Sequence, residues 1–450
     1  MRSVFLIALY LLIFSVSCRD QSETEAPSRS TAEVPTRSEP DQQPDVSETE
    51  DPENKDAQIG PAETTVAHEP PQLLNPSDVR AGWISLFDGQ TLFGWRSNNP
   101  QEQGGPNWRV EEGVIVADEG ESGLLLTRVS LADYELICEY RLEPQGNSGI
   151  FLRSPFHPKN PAVDCYELNM CDSHPKGFTT GSIVGRQKVA EEVAEEGQWR
   201  EFRLRVEENQ IVSQLDGRIV IDFVDQSDDR RRTGFIGLQK NVGKIEFRKV
   251  SLRPVGTVPL FNGEDLKGWR TVPGSRSAFE IVEGVIHVSG GPGFLETEQV
   301  WDNFILQFEV RTNVSDLNSG LFFRTMTGTA EAASNGYELQ ICNSFADGDR
   351  TKPNDYGTGF GTGAMMHRVK ARRIVADDLQ WMTLTLLADG PHFSTWVNGY
   401  QVADWNDGRE PNENPREGKR LTAGHLSLQG HDETTDVDFR NLRIAVSNSD

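Results

Sequence analysis

Hydrophobic and polar residues alternate with a period of two along several stretches of the chain. Residues 134–140 and 202–206 do so, and so do 305–310 and 383–386. Side chains on a strand point to opposite faces in turn, so this pattern predicts half-buried β-strands. Asp216-Gly217 and Asn398-Gly399 lie between such runs, and an Asx-Gly pair is the strongest short hairpin signal. A helical period is scarce; residues 189–196 form the best helix candidate, and a short one. Many strands with turn signals, in units of roughly 180 residues, predict an all-β chain built of antiparallel two-sheet sandwiches.

The same module is written twice. Leu86-Phe87-Asp88-Gly89, leading to Gly94-Trp95-Arg96, returns as Leu260-Phe261-Asn262-Gly263, leading to Gly268-Trp269-Arg270. Glu112-Gly113-Val114-Ile115 returns as Glu283-Gly284-Val285-Ile286, and Asn147-Ser148-Gly149 before Phe151 and Arg153 as Asn318-Ser319-Gly320 before Phe322 and Arg324. Tyr166-Glu167-Leu168 matches Tyr337-Glu338-Leu339, and Gly237-Leu238-Gln239 matches Ser427-Leu428-Gln429. The order is kept while the offset drifts from 174 to 171, then to 182 between Trp199 and Trp381, 190 between Gly237 and Ser427, and 192 between Glu246 and Asp438. A duplicated domain with insertions in its second copy reads this way. The expected units are 76–254 and 255–447.

The N-terminus reads differently. Arg2 precedes an apolar run over 4–14, about the length of a signal-peptide core and too short to span a bilayer. Ser15-Val16-Ser17-Cys18 follows, giving a signal peptide over 1–17 and Cys18 as a candidate lipidated residue of an exported envelope lipoprotein. The alternative is a secreted protein with a free N-terminal cysteine. Residues 19–75 hold 14 acids, 4 bases, 8 prolines and no aromatic residue. Such a composition cannot bury enough surface to offset its ordering entropy, so 18–75 is expected to be a disordered, acidic tether. The formal net charge of −25 argues against nucleic-acid partners, which need clustered Lys and Arg. Membrane contact is expected only through a lipid at Cys18. Five cysteines without a closely spaced pair suggest neither a disulfide scaffold nor a structural zinc site.

Taken in order and twice over, these motifs resemble the 3-keto-disaccharide hydrolase family. The resemblance implies two tandem concanavalin-like jelly-roll sandwiches that act on carbohydrate. It further implies cleavage of glycosides oxidised at C3: a base removes the acidified C2 hydrogen, the anomeric substituent leaves by elimination, and water adds back. A divalent cation is compatible with such chemistry, and no cofactor is certain. The chain departs from the family pattern at Asn169, where Gln is usual, at Asn343, where Asp is usual, and at Val184 and Met366, where an aromatic residue often stands.

Ligands of such a sandwich lie on the concave face of one sheet. Alternation places Glu167, Asn169 and Cys171 on that face, with Tyr166, Leu168 and Met170 toward the core. Glu167 is then the candidate base, Arg153 the enolate-binding group, and Asp172 either a neighbour that raises the Glu167 pKa or, with His174, a cation ligand. Asn169, Arg324, Glu338, Gln340 and Asn343 are the candidate substrate-binding residues. The rival for Glu167 and Arg153 is a simple cross-strand ion pair. His174, and His367 in the second copy, equally suit ordinary loops. Trp95, Trp199, Trp269 and Trp381 suit packing better than sugar platforms. The first copy, which keeps the acid at Asp172, is favoured for chemistry. The rival to an enzyme is a glycan-binding surface module.

Overall fold

The computed structural model describes residues 72–191, 197–354 and 357–446. The expected signal peptide, Cys18 and nearly all of the tether lie outside them. Of the helix candidate at 189–196, residues 189–191 are not helical and the remainder lies outside the described residues.

The described residues form four antiparallel sheets, two in each copy. In the first copy a five-stranded sheet runs Trp95–Ser97, Gly123–Thr127, Phe235–Lys240, Ser148–Ser154, Tyr166–Met170. It packs on an eight-stranded sheet centred on Tyr134–Leu142 and Ile245–Pro254. The second copy repeats this order with Trp269–Thr271, Gly293–Thr297, His425–Gly430, Ser319–Thr325, Tyr337–Ile341 over a sheet centred on Phe304–Thr312 and Asp436–Val446. The chain is therefore a pair of tandem jelly-roll sandwiches. Leu136, Leu168, Phe202 and Phe247 close the first core, and Leu306, Leu339, Leu384 and Phe439 the second.

Local chemistry sets the turns. Asp216 and Gly217 both have positive φ (49° and 79°), as do Asn398 and Gly399 (49° and 78°). These are two-residue turns whose twist matches the flanking strands. Glu112-Gly113 and Glu283-Gly284 make the same turn. Trp95 and Trp269 are buried and donate from Nε1 to Leu86 O (2.5 Å) and Leu260 O (2.9 Å). Of the core or hairpin packing expected of the tryptophans, Trp199 and Trp381 do not show the core form. Each lies on an outer face with two guanidinium groups over it, from Arg141 and Arg248 and from Arg311 and Arg440.

The copies are joined by more than their linker. Trp396 of the second belongs to the core of the first and donates to Ser85 O (2.9 Å). Arg372 pairs with Asp88 at 2.7 Å, and Arg128 with Asp404 at 2.6 Å. Gln307 Nε2 donates to Gly82 O (2.9 Å).

Candidate active site

The edge strand Tyr166–Met170 positions the candidate acid. Tyr166, Leu168 and Met170 enter the core, so Glu167 and Asn169 face outward, as alternation requires. The free edge of this strand is covered by the segment after it. Asn169 N donates to Ser182 O (2.9 Å), Gly181 N to Asn169 O (2.8 Å) and Val184 N to Glu167 O (3.0 Å). The glycine-rich segment of the second copy does the same for Tyr337–Ile341: Gly363 N donates to Gln340 O, and Met366 N to Glu338 O, both at 2.9 Å. These repeated segments are edge caps, which block further strand pairing.

Glu167 is 8% exposed. Burial pushes its carboxyl up from 4.5 to about 7, while a hydrogen bond from Gln239 pulls the other way. Asp172 makes no contribution to that shift, which corrects the expectation of a like-charged neighbour. Room for the carboxyl comes from Gly149, on the neighbouring strand. A Cβ there would stand 3.2 Å from Glu167 Cγ and 3.4 Å from Oε1, and Gly320 stands under Glu338 in the same way. The repeated Asn-Ser-Gly is thus more than turn chemistry. Ser148 and Ser319 tie the next strand through Gln239 O (2.6 Å) and Gln429 O (2.7 Å), and each glycine seats a glutamate. Gly149→Ala is expected to displace the carboxyl and cost about 1–3 kcal/mol by overpacking. Denaturant melts and the pH–rate profile would register both effects.

Arg153 is not beside Glu167. Its φ of +50°, at a register shift against Phe235–Lys240, breaks the alternation and turns the side chain inward. The guanidinium is 2% exposed and donates to Ala132 O (2.9 Å), Glu208 O (2.7 Å), Arg231 O (2.9 Å) and Asp133 Oδ1 (2.7 Å). Arg324, with φ +49°, likewise binds Asp302 O, Gly390 O, Arg420 O and Asn303 Oδ1. Both arginines fasten loops together. Neither the catalytic role expected of Arg153 nor the substrate role expected of Arg324 fits these positions, and the cross-strand ion pair between Glu167 and Arg153 does not form.

Asp172 lies beyond the strand end. Its Oδ1 accepts from Thr180 Oγ1, and it lines a small pocket with Tyr140, Gln198 and Arg200. Asn343 repeats the contact, accepting from Thr362 Oγ1 (2.7 Å) and donating to Asp378 Oδ1 (3.0 Å). His174 Nδ1 accepts from the backbone N–H groups of Lys176 (3.2 Å) and Phe178 (3.3 Å), and therefore closes a turn. Among the described residues no three His, Cys, Asp or Glu side chains are grouped to hold a metal ion. Asn169 Nδ2 donates to Phe178 O, and Gln340 Nε2 to Asn318 Oδ1 (2.8 Å). His367 meets the Phe360 ring edge-on. The residues brought together are Glu167, Gly149 and Gln239. Gln239 was missed as a partner, although its place in the repeated Gly-Leu-Gln and Ser-Leu-Gln segments was the available signal.

The first sandwich thus carries a buried acid on the outer face of its five-stranded sheet. The particular family follows from comparison. The chain matches the 3-keto-alpha-glucoside-1,2-lyase-like domain at residues 82–253 and again at 256–445, and it belongs to that family. A Bacteroides thetaiotaomicron protein named 3-keto-disaccharide hydrolase is 33% identical over 93 residues, 19% of this chain and 31% of that protein. The match thus spans about a third of that relative's length. A structure provisionally assigned as a glycosyl hydrolase from Parabacteroides distasonis shares 21% identity at a TM-score of 0.36, covering 40% of this chain and 98% of that one. A carbohydrate-binding module from Bacillus subtilis shares 17% identity at a TM-score of 0.27, covering 36% and 95%.

Proposed function

We propose that the first sandwich opens the glycosidic bond of a sugar carrying a ketone at C3, with Glu167 as the base. The ketone acidifies the C2 hydrogen. Glu167 takes that proton, the C2–H electron pair becomes a C1–C2 double bond, and the substituent leaves C1 with its bonding pair and takes up a proton to depart as the free alcohol. Water adding at C1 and a proton returning to C2 complete a net hydrolysis. The observation that carries this reading is the Glu167 carboxyl, buried over Gly149 beside Gln239 and titrating at about 7. A base is most effective when its pKa lies near the working pH. Direct glycoside hydrolysis needs two facing carboxyl groups, and on the outer face of the first copy the residues in register with Glu167 are Phe151, Gly237 and Leu126.

The test is release of the aglycone from a 3-keto-glucoside and from its unoxidised parent. Release is expected from the keto sugar only. Glu167 acts when ionised, so the rate should rise through about pH 7 and then level off. Equal release from both sugars, or a rate falling across that range, overturns the proposal.

A further inference from the structure

The outer face of the eight-stranded sheet has changed chemistry between the copies. In the first, Arg205, Glu135 and Arg253 stand in one row, with Glu135 paired to both arginines (2.6 and 2.5 Å). Glu207, two residues along the strand, pairs with Arg205 at 2.8 Å. Counted from Trp199 and Trp381, the second copy has Leu387 for Arg205 and Asp389 for Glu207. Ile305 and Ala445 stand in register with Leu387, so the charged row has become apolar. That row serves the junction of the copies, where Ile305 and Leu387 join the core of the first sandwich. The acid has been kept while its arginine has become leucine.

Asp389 now stands in the wall of a cleft between the sandwiches, about 480 Å³ with its open mouth. Leu131, Phe304, Leu387 and Ala388 line it as buried apolar groups, while Gly256 and Val446 are exposed and mark the mouth. Asp389 is half-buried, and its Oδ2 accepts from Ser130 N (3.1 Å). Among the described residues nothing meets its Oδ1 and no cation pairs with it. His392 and Arg324 act on it from a distance, but His392 is held by Asp404 (2.8 Å) and Arg324 by the carbonyls of Asp302, Gly390 and Arg420. Burial accordingly pushes the Asp389 carboxyl up. From the first sandwich Asp133 lines the same cleft. Its Oδ1 takes Arg153 (2.7 Å) and Glu208 N (2.9 Å), and its Oδ2 has no partner among the described residues.

A carboxylate taken out of water without a counterion costs free energy that a bound cation returns. Both acids repel an anion. A hard metal ion takes six or more oxygens, and an apolar floor offers no such ring. We infer that the cleft between the two sandwiches binds a small organic ammonium ion with a compact apolar body, its N–H groups donating to Asp389. The site is built from the junction of the copies and takes nothing from the chemistry proposed for Glu167.

The experiment is calorimetric titration of the full chain with phenethylammonium, beside 2-phenylethanol, 3-phenylpropanoate and methylammonium. Only phenethylammonium joins the positive charge to an apolar body, and it is expected to bind best and to raise the thermal midpoint. Its affinity should fall as salt is added. Asp389→Asn keeps an oxygen for Ser130 N and removes the charge, so it should weaken binding by about 10- to 100-fold, the worth of a hydrogen bond to a charged group. Ala445→Leu fills the cleft without changing either acid and should abolish binding; it decides the matter if the asparagine variant does not fold. No binding of phenethylammonium, equal binding of 2-phenylethanol, or unchanged affinity in either variant overturns the inference. Equal binding of methylammonium overturns it too, since that marks only the general attraction of cations to a chain of net charge −25.

Discussion

Glu167→Gln is expected to lower turnover of a 3-keto-glucoside by about 10²–10⁴-fold, the usual loss on removing a general base. The same change should stabilise the fold at alkaline pH. The sign follows from the raised pKa. The carboxyl titrates at 4.5 in the unfolded chain and at about 7 in the folded one. Below 4.5 it is protonated in both states and costs nothing. Between 4.5 and 7 the unfolded chain increasingly prefers the ionised form, and above 7 the full penalty applies, about 3 kcal/mol. Glutamine escapes it, so the variant's denaturation midpoint should exceed the parent's at pH 8 and match it at pH 4. Loss of rate with a gain in alkaline stability is the signature of a buried acid kept for chemistry. Glu338→Gln should retain most of the rate; if it proves the more damaging change, the chemistry belongs to the second sandwich.

Arg153→Ala should do the reverse, destabilising the protein by about 3–5 kcal/mol, the range for breaking a buried charged contact. It strands three carbonyls and Asp133. Lysine should restore little, because a single ammonium cannot reproduce a fork that reaches four acceptors. At temperatures where the variant remains folded, its rate should stay within a few-fold of the parent's. Equilibrium denaturation alongside initial rates separates the two quantities. A variant of full stability without activity would return Arg153 to the active site.

The contrast between these two residues marks how far the sequence could be read. Alternation placed Glu167 outward and Leu168 inward, because a regular strand has no other option. It failed at Arg153, two residues beyond Phe151 and nominally on the same face. There a left-handed backbone, packed against Gly234, reverses the side chain, and nothing in a period of two announces such a reversal. The repeat itself held the missing hint: arginine recurs at both strand ends, 153 and 324, although their surroundings on the outer faces differ. The duplicated fold was legible because its turns are chemically specified, Asx-Gly and Glu-Gly alike. Asp172 was misjudged for another reason. Its distance from Glu167 along the chain is short, but the strand ends between them, and burial, opposed by the Gln239 hydrogen bond, sets the Glu167 titration.

The contacts of Trp396 with the first core change what the duplication means. A gene fusion of two self-sufficient modules would leave each able to melt alone. Here cutting the chain between the copies would expose an indole to water, strip Asp88 of Arg372 and Asp404 of Arg128, and orphan the Gly82 carbonyl. The two halves therefore share one cooperative reserve of folding free energy. A substitution that weakens the second sandwich draws on the same reserve that keeps Glu167 buried. Drift in either copy is restrained by the other, although their outer faces have already parted in chemistry.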